Sequence, residues 1–192
     1  LTAGTDITLT GKVTQSGVLT LTSTNGNVTI ANDVDTGVFD LNIEALLGNA
    51  ALASITGTST ALDVDASTAT LNGDTITTAG TIDFTGTGLT TLAAGTVTVT
   101  SGGSDIDVGD VGGVNQLTVD AGAGNLTFDG GDIGDLTVTK AANVNFDEDF
   151  NTDGQISVNS TAAITVADGS NVTAEDTLVF VGGSVDVNGS VT

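Results

Sequence analysis

The chain of 192 residues sets 24 Asp and Glu against two Lys, Lys12 and Lys140, and has no Arg or His, for a formal net charge of −22. It lacks Cys, Met, Trp, Tyr and Pro as well, while 27 Gly and 36 Thr fill a third of it. Without imidazole, thiol or guanidinium, acid–base, nucleophilic and phosphate-clamping chemistry has few carriers, and so negative a surface repels nucleic acid and anionic lipid.

No apolar run reaches the roughly 18 residues of a membrane span, so no membrane insertion is expected. No charged-then-apolar leader opens the chain, and Leu1 in place of Met marks a processed chain or an excised segment. High net charge is a signature of disorder, but hydrophobic residues make up 39% of the chain and their order is regular.

The predicted elements are short strands. In chain order, apolar-polar-apolar triplets recur at 7–9, 19–21, 28–30, 62–64, 82–84, 97–99, 106–108, 117–119, 126–128, 136–138, 144–146, 156–158, 164–166 and 185–187. Each has the period of two that marks a half-buried strand, and each is bounded by Gly, Asn, Asp or Ser. Residues 44–52 are the one stretch with helical character, or else a loop bulging from the third of the faces described next.

Three interleaved sets of apolar positions repeat about every 20 residues. One runs Val13, Val34, Ile55, Ile76, Val97, Leu117, Leu136, Ile156, Leu178. A second runs Leu19, Leu41, Leu62, Ile82, Ile106, Leu126, Val144, Ile164, Val185. The third is Ile7, Val28, Leu47, Leu71, Leu92, Val111, Ile133, Phe150, Val172, Val191. A constant order of three phases predicts an all-β fold: a single-stranded parallel β-helix, or β-solenoid, with three faces and about nine coils of about 20 residues. At the spacing of paired strands it is a rod about 43 Å long, one domain over residues 1–192, and the crossover rule for parallel strands makes it right-handed. An antiparallel sandwich also has short alternating strands but needs no three-phase recurrence. Gly and Asn at the corners, as in the pairs Gly102-Gly103, Gly112-Gly113, Gly130-Gly131 and Gly182-Gly183, are expected to supply positive-φ bends, and Pro is missing where it would delete inter-coil hydrogen bonds.

Stretches such as Gly4-Thr5-Asp6-Ile7-Thr8-Leu9-Thr10-Gly11, Gly17-Val18-Leu19-Thr20-Leu21-Thr22-Ser23 and Gly26-Asn27-Val28-Thr29-Ile30 resemble the coils of filamentous-haemagglutinin-like and autotransporter-passenger-like secreted bacterial β-helices. As a period, the resemblance covers the chain end to end. It implies a right-handed parallel β-helix, an adhesin repeat region and an extracellular or cell-surface location. The secretion domain of such proteins is not recognisable here.

The middle residues of the second-face triplets form an outward column: Thr20, Asn42, Asp63, Asp83, Asp107, Thr127, Asn145, Thr165, Asp186. Asp63, Asp83 and Asp107, one coil apart, repel one another, with Asp40, Asp65 and Asp105 nearby. Over the expected rod the charge is about one per 2 Å, close to the density of duplex DNA, so counterions matter. Hard oxygen ligands favour calcium; a solvated acidic face is the plainer reading. A second candidate calcium site is Asp149-Phe150-Asn151-Thr152-Asp153-Gly154-Gln155-Ile156, which matches the opening of an EF-hand-type loop: Asp149, Asn151 and Asp153 offer side-chain oxygens and Gln155 its carbonyl. Ser160 stands where the bidentate Glu belongs.

Outward Thr14, Asp35, Thr56, Thr77, Thr98, Thr118, Thr137 and Ser157 on the first face form a Thr rank like those of ice-binding solenoids, although β-propensity alone also puts Thr on strands. A β-helical glycosidase or lyase would use Asp pairs on adjacent coils, but it also needs aromatic platforms and cleft-walling loops. Phe84, Phe128 and Phe146 read instead as an inward core stack. The ends carry no capping helix, so coils continue in a longer chain or copies pair head to tail into a filament by strand addition. The expectation is a non-enzymatic adhesin stalk or surface-fibre subunit, with a cell surface or glycan as further partner. The alternative is a calcium-dependent module that binds glycan or ice through its acidic or Thr-rich face.

Overall fold

The computed structural model describes residues 1–192. Its 25 strands form one continuous sheet in which each strand pairs in parallel with the strand one turn earlier and one turn later. Three faces complete each turn, and the chain winds through about nine turns as the β-solenoid expected from the repeat. Where a corner is gentle the strand runs unbroken from one face to the next, as in Leu41–Leu52 and Asp110–Asp120. The inward residues merge into one core of 42 buried apolar side chains along the rod.

The second face matches its predicted column throughout. Leu19, Leu41, Leu62, Ile82, Ile106, Leu126, Val144, Ile164 and Val185 are successive register partners. On the first face Val13, Val34, Ile55 and Ile76 follow the prediction, but Ile76 pairs with Val99 and not with Val97. Val97 instead opens a second inward column through Leu117, Leu136, Ile156 and Leu178. Thr96–Thr100 alternates Thr with Val, so a slip of two residues keeps both valines inside and costs no burial.

The third column needs the larger correction. Its register partners are Ile7, Val28, Ala50, Ala69, Thr90, Val111, Gly131, Phe150, Val172 and Val191. Leu71 and Leu92 lie one inward position further along, in line with Ile30 and Leu52, and Ile133 pairs with Thr152. Leu47 is 72% exposed. It sits in a bulge in which Leu46, Leu47 and Gly48 stand opposite Ser67 alone, between the pairs Ala45–Ala66 and Asn49–Thr68. The segment 44–52 is therefore strand and not helix: Leu41, Ile43, Ala45, Ala50 and Leu52 are buried at strand spacing, and neighbouring coils satisfy the backbone. The bulging loop expected there is present as the two extra residues.

The corners use glycine more sparingly than expected. Of the four Gly pairs only Gly103 and Gly113 take positive φ, joined by Gly37, Gly109, Gly122 and Gly169, and no Asn does so. Buried hydroxyls hold several corners instead. Ser23 donates to the Thr5 carbonyl, Thr78 to that of Gly80, Thr87 to that of Val64, and Ser160 to those of Ala142 and Ala163. Each ties a buried hydroxyl to a backbone carbonyl and so leaves no buried donor unpaired there.

Phe128 and Phe146 stack at 5.4 Å, Phe180 continues the stack at 6.0 Å from Phe146, and Phe150 packs its edge against Phe128 and Phe146 at 4.9 and 5.3 Å. Phe84 is buried separately. Phe150 fits because its register partner is Gly131: a Cβ there would overlap the phenyl ring. The two coils share one volume, which yields a prediction. Phe150→Ala should cost about 3–5 kcal/mol and Gly131→Ala should destabilise by itself, yet Gly131→Ala should be nearly neutral in the Phe150→Ala background. Urea midpoints of the four proteins measure this; strict additivity would refute the shared volume.

Candidate functional site: the acidic ladder

Several carboxylates and amides at the corners have a structural task. An Asx side chain at the entrance to a strand accepts a hydrogen bond from a backbone N–H one coil later. Asp6 Oδ1 takes the Asn27 N–H at 2.7 Å, and Asn27 Oδ1 takes that of Asn49 at 2.8 Å. Asp40 accepts from the amides of Thr60 and Ala61. Asp105 accepts from the Asn125 amide at 2.7 Å, Asn125 from the Asn143 side chain, and Asn143 from the Ala163 amide. Asp135 accepts from the Gln155 amide, and Asp149 from both the backbone and the side chain of Asn171. Such caps satisfy backbone donors that the ladder does not reach at corners, and the negative charge strengthens each bond.

The EF-hand-type motif falls within this scheme. Phe150–Thr152 and Gln155–Ser160 are strands, with Phe150 and Thr152 buried. Asn151 is the exposed residue of the strand Phe150–Thr152, and exposed Asp149 and Asp153 flank that strand on either side. Asp149 caps Asn171, and Gln155 is itself capped by Asp135. No group of three or more acidic side chains converges to a geometry that could hold a metal ion.

The mid-face column behaves otherwise. Asp63, Asp83 and Asp107 are consecutive register partners in the column running from Thr20 to Asp186, as predicted. They cap no later coil. Asp83 folds back to accept from the amide and hydroxyl of its own Thr85, at 2.8 and 2.6 Å. Glu44 and Asp65, also register partners, run alongside.

Partial loss of hydration pushes Asp63 above the ordinary aspartate pKa, and the charges of Asp83, Asp65 and Glu44 push it further. Burial likewise raises Asp107; a hydrogen bond from Thr127 pulls it back, while Asp83, Asp129 and Asp105 add to the rise. Asp129, not singled out in the sequence, belongs to the same group. It is raised by burial and by Asp110, Asp147 and Asp83. Its position just past the second-face strand Leu126–Phe128 gave no signal in the triplet pattern.

The first-face Thr rank is split by the register slip. Thr14, Asp35, Thr56 and Thr77 continue to Thr100 and Asp120, whereas Thr98, Thr118, Thr137 and Ser157 form a column of their own that meets Thr75. Lys140 stands in register with Asp120. No protein-family model, no curated protein and no solved structure matches the chain.

The raised carboxylates fix the sign of a pH effect. A group that holds its proton more tightly when folded destabilises the fold once ionised, so stability rises as pH falls from neutrality toward about 4, the ordinary aspartate value. Asp107→Asn should therefore raise the unfolding midpoint at pH 7 by an amount worth less than about 1 kcal/mol, given solvent screening, and the gain should vanish near pH 4. Thermal melts of both proteins across that range check it. A variant gain that grows on acidification would contradict the sign.

Proposed function

We propose that the chain is a rigid, non-enzymatic structural element outside the cell: an adhesin stalk or a surface-fibre segment. One observation carries this reading. A single parallel sheet runs uninterrupted along the rod over one continuous core, so each coil is held by its neighbours and the whole resists bending and extension. The resemblance of the coils to secreted bacterial β-helices supports a surface location, and the coil geometry lets further coils, of a longer chain or of a second copy, be added in register by strand pairing.

Two measurements test it. Solution scattering should give an elongated particle of constant cross-section, about 43 Å long per copy, and antibody against the chain should label intact source cells. Labelling only after permeabilisation would overturn the surface assignment, and a compact particle would overturn the rod.

A second reading is favoured by the mid-face column, because Asp63, Asp83 and Asp107 are carboxylates that cap no backbone amide of a later coil. Calcium gathered along this ladder by hard oxygen ligands would steady the face and let it bridge to a glycan or another acidic surface. Under this reading millimolar calcium raises the melting midpoint beyond matched ionic strength of NaCl, and Asp83→Asn removes most of the excess. No excess over NaCl rejects it.

A further inference from the structure

One interface between complete coils is paired more sparsely than the others. Thr75–Thr77, Thr81–Asp83 and Thr90–Leu92 meet the coil above through three, two and two register pairs. On the second face two coils earlier, Leu41 to Ala45 pair with Leu62 to Ala66 over five residues without a break. The same interface carries the two-residue slip of the first face, and 24 residues separate Ile82 from Ile106.

Glycines let the two backbones lie close here, as they do one interface lower: Gly102 faces Ala79, Gly109 the Phe84 carbonyl, Gly112 Leu89 and Gly113 Leu92. Gly109 and Gly113 take φ of 67° and 117°, which reserves those places for glycine. Charge adds to this. Asp83 and Asp107 oppose each other across the interface, Asp63 stands below, and Glu44, Asp65, Asp105 and Asp129 surround them. Lys140 lies on another face beside Asp120, and Lys12 lies in the first coil.

We propose that this interface is a built-in seam, the place where the rod first opens, and that mobile counterions screening Asp83 and Asp107 set how firmly it stays shut. Repulsion between two carboxylates about 5 Å apart is screened by salt within a Debye length, whereas backbone pairing and apolar burial are not. The seam is therefore the part of the ladder most sensitive to ionic strength.

Amide hydrogen exchange on the full chain, in buffer with a chelator and either about 20 mM or about 500 mM NaCl, tests the proposal. The amides of Ile82 and Phe84 bond across the seam to the carbonyls of Asp105 and Asp107, while those of Val34 and Leu126 cross other interfaces to Ser54 and Asn143. At low salt the seam amides should exchange about tenfold faster than the other two, and high salt should slow them by about fourfold with little change elsewhere. Asp83→Asn, which keeps an oxygen for Thr85, should give that slowing at low salt, and Asp107→Asn is the parallel variant. Equal protection at all four amides, or a seam that responds neither to salt nor to either variant, overturns it. The chelator keeps the outcome separate from calcium binding, and failure of the seam leaves the rod itself untouched.

Discussion

The in-register parallel ladder is the constraint from which the rest follows. Because each residue pairs with its counterpart one coil away, about 4.8 Å distant, every side chain meets the occupant of its own column above and below. Each column must tolerate itself. Aliphatic residues do so in the interior, as the second face shows from Leu19 to Val185. Asn and Asp do so at corners by reaching for the next backbone amide, and Thr does so on outward strands through β-branching and a polar tip. Asp beside Asp does not, which is why the mid-face column stands out from the other carboxylates.

Two groups stand out among the 24 acidic residues. Corner residues such as Asp6, Asp40, Asp105, Asp135 and Asp149 accept hydrogen bonds from a backbone that bends away from its ladder. An Asn can take the same place, as Asn27 and Asn143 do, so the charge there is a by-product of a geometric need. Asp63 and Asp107 cap no backbone amide, and Asp83 caps only its own coil, at Thr85. Their repulsion is a standing cost at neutral pH, and Asp83 and Asp107 meet at the coil interface that carries the register slip.

The second face was legible in the sequence because its inward residues are all large aliphatics at nearly constant spacing. The third was less so. Ala50, Ala69, Thr90 and Gly131 are small, and hydropathy gave more weight to Leu47, Leu71 and Leu92 nearby. The slip at Val97 and Val99 left no mark, since either valine satisfies the same alternation. The acidic column could be read directly, but the caps could not: their donors are backbone amides about 20 residues away, and nothing in a residue's type tells a capping Asp from a solvated one. The EF-hand-type motif shows the same difficulty. The spacing of Asp149, Asn151 and Asp153 fits a loop, whereas the buried Phe150 and Thr152 between them fit only a strand.

The bulge at Leu46, Leu47 and Gly48 bears on how such a chain varies in length. Two surplus residues leave the coil at a corner, and pairing resumes at Asn49 as though they were absent. The periodicity is therefore kept by the ladder and not by the residue count, and corners act as ports through which additional polypeptide emerges without altering the stacking of coils. A rod of this kind can carry short loops along its edge like teeth on a rack, each at a height set by its coil.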